Sequence, residues 1–170
     1  GNHYAGAGSY GYTDELPAEG YDGRVRLRDR WHNLNSQETV GISPRMFGEF
    51  YAPYYHDIAR VAGLVYFGCC EPVNTLWDPH LRTMPNLRKV SISPWCDEAY
   101  MGEVLRGEQV IYSRKPMPQF LGVGSAWDEE GFAAHVAQTL DAARGCTVEF
   151  IYRDVYALGG DVGKPGKAVR

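Results

Sequence analysis

The chain has little that would mark it for a membrane, a nucleic acid or an oxidising compartment. In its 170 residues no apolar run approaches the ~20 needed to span a bilayer, and no signal peptide is visible. Neither membrane insertion nor secretion is therefore expected. The basic residues are scattered rather than clustered, and with a net charge of −4 they give no electrostatic footprint for nucleic acid. Cysteine is sparse. Cys69, Cys70, Cys96 and Cys146 lack the spacing of a disulfide framework, so the expected setting is a reducing cytoplasm, with the adjacent pair as free thiols or ligands. Nor is the composition that of a disordered chain: 44% hydrophobic and 22% charged residues suffice for one buried core or for part of a larger one.

What is present is organised around residues 63–73, Gly-Leu-Val-Tyr-Phe-Gly-Cys-Cys-Glu-Pro-Val. Leu64 to Phe67 form a continuous apolar run, as in a parallel strand covered on both faces. Two thiols and a carboxylate then follow at the C-terminal end of that strand, where α/β proteins keep their sites.

Taken in order, residues 1–23 are rich in glycine and tyrosine, show neither helical nor strand period, and predict a long loop. Residues 24–30 alternate basic residues with Val25, Leu27 and Asp29, which predicts a short exposed strand or ribbon. Residues 1–30 are thus set apart from a single domain over 31–170. A strand is expected over 31–37 with an exit loop over 38–41. A helix then starts at Ser43 with Pro44 in its first position, presents Phe47, Phe50, Tyr51, Tyr54 and Ile58 as one apolar face, and is kinked by Pro53. Residues 73–84 read as a further helix with Leu76, Trp77, His80 and Leu81 on one face. Residues 89–93 are a strand, followed by a short helix that Gly107 caps. Residues 109–113 are another strand, and 117–127 a loop. Asp128 N-caps the clearest helix, with Phe132, Val136 and Leu140 inward and Gly145 as terminator. Residues 147–152 make a last strand, before a Gly- and Lys-rich tail. This alternation predicts an α/β fold with a parallel sheet, because parallel neighbours need crossover helices.

The order of these segments resembles the C-terminal half of the uroporphyrinogen decarboxylase superfamily, which includes the corrinoid-dependent methyltransferases. The resemblance rests on residues 42–54, Ile-Ser-Pro-Arg-Met-Phe-Gly-Glu-Phe-Tyr-Ala-Pro-Tyr, similar to the family's Ser-Pro-x-x-Phe-x-Glu-Phe-x-x-Pro-Tyr helix. It extends through the Cys-Cys-Glu strand and the last helix–strand pair, over roughly 31–160. It implies a partial (β/α)8 TIM barrel of about the C-terminal four to five β/α units. Such a half-barrel would cover its open edges by homo-oligomerising or by joining a missing N-terminal half. The resemblance also implies methyl transfer involving a corrinoid carried by a partner protein, or a small methylated compound, at a thiol/zinc site. A non-catalytic half-barrel that binds a small molecule or oligomerises is the alternative, and a uroporphyrinogen decarboxylase-like decarboxylase the second. In the methyltransferase branch a His-x-Cys and a later Cys hold zinc. Here Phe67 or Gly68 stands at the His position, and Arg153-Asp154 at the later Cys.

Candidate site residues follow from strand ends. Cys69 and Cys70, with Cys96 from the neighbouring strand end, are the expected metal ligands. Glu71, Asp154 and Glu38 are the candidate acid/base groups. Arg114, Arg153 and His32 are expected to contact substrate, the arginines through an anion. Lys115 accompanies Arg114 in the same basic pair. His56, His80 and His135 fall on helices, away from that rim.

Overall fold

The computed structural model describes residues 3–6 and 9–170. Within the loop expected over 1–23, residues 1, 2, 7 and 8 lie outside the described residues, 12–23 are irregular as expected, and 3–6 with 9–11 correct the expectation. β1 (His3–Gly6) pairs antiparallel with β2 (Ser9–Gly11) in a small hairpin. Gly11 lies so close to the Trp31 indole that a Cβ there would overlap the ring. The ribbon expected over 24–30 is instead a loop ending in a 3-10 turn at Leu27–Asp29. The buried Asp29 carboxylate holds that turn by accepting from the Arg26 and Ala18 amides at 2.8 and 3.1 Å.

Five strands form one parallel sheet: β3 (Trp31–Leu34), β4 (Leu64–Phe67), β5 (Leu87–Ile92), β6 (Ile111–Arg114) and β7 (Val148–Phe150). Each strand lies beside its predecessor, without the reversal of strand order found in doubly wound sheets. An α/β fold with a parallel sheet is therefore observed, and the sequential order is that of part of a β/α barrel. β3 and β7 are its edges.

The crossovers are α1 (Pro44–Phe50) and α2 (Ala52–Val61), then α3 (Asn74–Leu76) running into a π turn at Trp77–Leu81, then α4 (Glu98–Leu105), then α5 (Gln119–Gly122) with α6 (Glu129–Ala142). The short α5 lies in the segment expected to be a loop, and α7 (Lys164–Ala168) in the tail. Local chemistry sets the helix starts as expected. Ser43 Oγ accepts from the Met46 amide at 3.2 Å, Asp97 from Tyr100 at 3.0 Å, and Asp128 from Gly131 at 2.9 Å. Among the described residues, no helix is long and apolar enough to cross a membrane.

Two expected helix faces are turned. The bend anticipated at Pro53 is a full break at Tyr51, because proline has no N–H to continue the ladder. After the break the inward row is Tyr51, Tyr55, Ala59 and Ala62, while Phe50, Tyr54 and Ile58 are exposed. On α6, Leu140 is exposed and Phe132 and Val136 only half-buried; Thr139 and Ala143 go inward. The cause is close helix packing. A Cβ on Gly102 of α4 would run into the Ala142 carbonyl, so α6 must approach through its small residues.

The sheet's two faces differ in chemistry. The helix-covered face is apolar, with Val65, Phe67, Val90, Ile92 and Tyr112 packed on Phe47, Trp77, Leu81 and Met101. The opposite face carries Trp31, Leu64 and Tyr66 at one side, under Leu16. By strand alternation it also carries Lys89, Ser91, Ser113 and Glu149.

Candidate small-molecule site at the strand ends

Strand alternation sends Tyr112 and Arg114 to the helix side, and Ser113 and Lys115 to the open face. Arg114 is 1% exposed and ion-paired. Its guanidinium donates to Glu98 at 2.5 Å and to the Ser93 and Ile92 carbonyls at 2.7 and 3.2 Å. Thr139 donates to the other Glu98 oxygen at 2.7 Å. That cation is a tie between β6, α4 and α6, not a group presented at the rim.

Lys115 occupies the position expected for Arg114. It is 2% exposed, and its Nζ donates to the Cys69 carbonyl at 2.5 Å. Among the described residues no carboxylate lies within 4 Å of it. Burial pushes its pKa below the ordinary lysine value, and nearby Arg153 lowers it further against the Cys69, Cys70 and Glu71 side chains, which raise it. Arg153 is half-buried and makes no hydrogen bond or ion pair among the described residues. Arg153 is thus near enough to act electrostatically on Lys115, and no carboxylate pairs with either cation among the described residues.

The Gly68-Cys69-Cys70-Glu71 turn closes the other side. Gly68 has φ +98°, a left-handed conformation favourable to glycine, with its Cα against Ser91. Glu71 is buried, and its two oxygens accept from the Ser36 and Cys69 amides at 2.7 and 2.9 Å, which ties β3 to β4. It acts as an acceptor for backbone rather than a free acid/base group. Cys69 and Cys70 have their sulfurs 3.6 Å apart, and Cys70 Sγ lies 3.4 Å from Asp154 Oδ2. Burial, then Cys69 and Asp154, push the Cys70 thiol up to about 12, so it holds its proton. Asp154, at the end of β7, is exposed and has φ +61°. Cys70, Glu71, Gln37, Val40, Pro72 and Trp95 line an open groove of about 390 Å³.

Deeper on the same face, Lys89 Nζ bridges both Glu149 oxygens at 2.8 and 2.9 Å and stands over the Trp31 and Tyr66 rings at 5.6 and 5.5 Å. Ser113 donates to Glu149 at 2.6 Å. Tyr66 is fully buried, is pushed up to about 12 by that burial, and its hydroxyl has no partner among the described residues; nor does Asn33 Oδ1. Unpaired buried polar atoms of this kind call for a ligand or ordered water.

The remaining candidates lie apart. Cys96 is in the helix-side core, its Sγ 3.5 Å from Ser93 Oγ, on the other side of the sheet from Lys115. His32 bonds back to the Leu27 carbonyl at 3.1 Å. Glu38 is exposed on the 3-10 turn Gln37–Thr39. His56 and His80 bond the His80 and Pro44 carbonyls, and His135 accepts from the Met117 amide, all in helix packing. The structure thus brings together Cys69, Cys70, Glu71, Arg153 and Asp154, and adds Lys115, Tyr66, Lys89 and Glu149. Their signal was parity: Lys89 and Ser91 alternate with Val90 and Ile92, and Ser113 and Lys115 with Tyr112.

Comparison with protein-family models, curated proteins and solved structures finds no match to the chain.

Proposed function

We propose that this chain binds a small anion, a carboxylate or phosphate, at the C-terminal strand ends of a partial (β/α)8 barrel of the uroporphyrinogen decarboxylase type. The observation that carries the reading is the buried Lys115 amine, held by the Cys69 carbonyl with no paired carboxylate among the described residues, with Arg153 near enough to act on it electrostatically. A buried amine and a guanidinium supply charge-assisted hydrogen bonds to an oxyanion, in a region where water screens them little. Asp154 and the Cys70 thiol would flank the bound molecule and can exchange a proton with it. A porphyrinogen, through its carboxylates, belongs to this class of anion. Homo-oligomerisation, or a complementary half, would cover the open edges β3 and β7.

The zinc that the family resemblance implies is not matched by the donors. Among the described residues, no three His, Cys, Asp or Glu side chains converge as a metal set. Glu71 is committed to two amides, and Cys96 lies in the opposite core. No step is drawn through zinc, and a corrinoid on a partner protein rests on the resemblance alone.

Titration calorimetry with citrate and with inorganic phosphate tests the proposal. At least one should bind, and Lys115→Met and Arg153→Gln should each weaken it by at least about tenfold, the loss of one charge-assisted contact. No binding of either anion, or unchanged affinity in both variants, overturns it.

A further inference from the structure

Cys69 and Cys70 follow the end of β4 in a turn, where strand alternation no longer sends neighbouring side chains to opposite faces. Their sulfurs are in contact at 3.6 Å. The backbone that carries them is pinned at three polar atoms. Gly68 N donates to the Leu34 carbonyl at 2.7 Å and Cys69 N to Glu71 at 2.9 Å, while the Cys69 carbonyl accepts from Ser91 Oγ at 2.6 Å and from Lys115 at 2.5 Å. The anion reading uses the Cys70 proton but gives no role to the contact between the two sulfurs.

The separation discriminates between partners for the pair. A disulfide needs its sulfurs at about 2.05 Å and its Cα atoms at about 4.4–6.8 Å, whereas neighbouring Cα atoms are about 3.8 Å apart. An ordinary disulfide therefore does not fit. Two sulfurs on one thiophilic atom, at bonds of about 2.3 Å and an angle from about 90° for a pyramidal centre to about 110° for a tetrahedral one, stand roughly 3.3–3.8 Å apart. The observed spacing lies within that span. Zinc requires further donors, which do not converge here. Trivalent arsenic is satisfied by two thiols and one oxygen or carbon substituent.

We propose that Cys69 and Cys70 form a two-thiol binding site for trivalent arsenic, as arsenite or a monosubstituted arsenical. The centre enters over the groove bounded by Gln37, Val40 and Trp95, onto which Cys70 opens. Each of two As–OH groups exchanges its oxygen for sulfur: an As–O bond breaks, an As–S bond forms, and the thiol proton leaves with the hydroxide as water. Two waters are released and no oxidation state changes. Asp154, 3.4 Å from Cys70 Sγ, is placed to take the thiol proton and pass it to the leaving oxygen. The pinned turn holds both sulfurs at bonding separation before the ligand arrives, which limits the ordering cost of capture.

Phenylarsine oxide titrated into the full chain tests this, read by native mass spectrometry and by counting free thiols. One equivalent should bind and consume two of the four thiols, and a small dithiol should displace it while the same concentration of a monothiol does not. Cys69→Ser and Cys70→Ser should each weaken binding at least about a hundredfold, the gain a second tethered thiol supplies. A Cys96→Ser/Cys146→Ser double variant should bind as the parent does. The proposal is overturned if the parent does not bind, if the consumed thiols are Cys96 or Cys146, or if Cys70→Ser binds unchanged. Phenylarsine oxide titrated into Arg153→Gln, which keeps both thiols, and citrate or phosphate titrated into the parent read the two sites separately, so either proposal can fail alone.

Discussion

Arg114 and Lys115 are neighbours in sequence, both cations and both almost wholly buried, yet they belong to different regions. Arg114 faces the helices, where Glu98 neutralises its guanidinium and two carbonyls accept from it, with Nε left unpartnered among the described residues. Lys115 faces the open side of the sheet and has a single carbonyl, with another cation nearby. The helix-covered side pairs its buried cation with a carboxylate, although Trp77 Nε1 and Arg114 Nε have no partner among the described residues. The open side leaves cations, a tyrosine hydroxyl and an asparagine oxygen unpaired, and that is where recognition can occur.

The contrast is most strongly tested by truncating each cation. Arg114→Ala leaves Glu98 partly buried without its partner, so about 3–5 kcal/mol of stability should be lost, with a drop in Tm of roughly 10 °C. Urea unfolding measures it, and a loss below 1 kcal/mol would mean that the helix-side tie does not hold the sheet. Lys115→Met should change stability at neutral pH by only about 1 kcal/mol or less, since the lost hydrogen bond is offset by relief of a buried charge. The sign with pH is definite. The folded-state pKa of Lys115 is lowered, so between it and the unfolded value of about 10.4 the unfolded chain binds more protons, and this residue's contribution makes stability rise with pH across that window. The parent-minus-variant stability difference should therefore climb toward alkaline pH; a flat or falling difference would place Lys115 in a paired environment like that of Arg114. The smallest effect is expected at Leu140, exposed on α6 despite its helical spacing. Leu140→Ser should alter stability within about 0.5 kcal/mol, whereas a cost of 2 kcal/mol or more would restore it to the core.

Much of the fold was legible because it is locally encoded. The apolar run at Leu64 to Phe67, the Ser43, Asp97 and Asp128 caps, and the glycine stops at 107 and 145 each depend on neighbours within a turn or two. The hairpin of β1 and β2 was missed because its residues lack apolar alternation, and its glycine approaches Trp31 from twenty residues away. The face of α6 was missed because spacing identifies an apolar stripe but not its neighbour, and Gly102 of another helix chooses the small residues instead.

The candidate site divides in the same way. Cys69, Cys70, Glu71, Arg153 and Asp154 were found because they end strands. Which members do chemistry depends on parity and partners: Glu71 is taken up by two backbone amides, and Cys96 points into the helix-side core.

The sequence by itself determined the five sheet strands and main crossover helices, their order and parallel sense, the caps and the thiols at a strand end, since hydrophobic period and capping are short-range properties of the chain. Only the tertiary structure decided that Lys115 rather than Arg114 faces the site, and that Asp154 meets Cys70 across 84 residues. Those outcomes depend on strand register and helix approach, which are set where distant segments bury one another, and a one-residue change of face exchanges an ion-paired cation for an unpaired one.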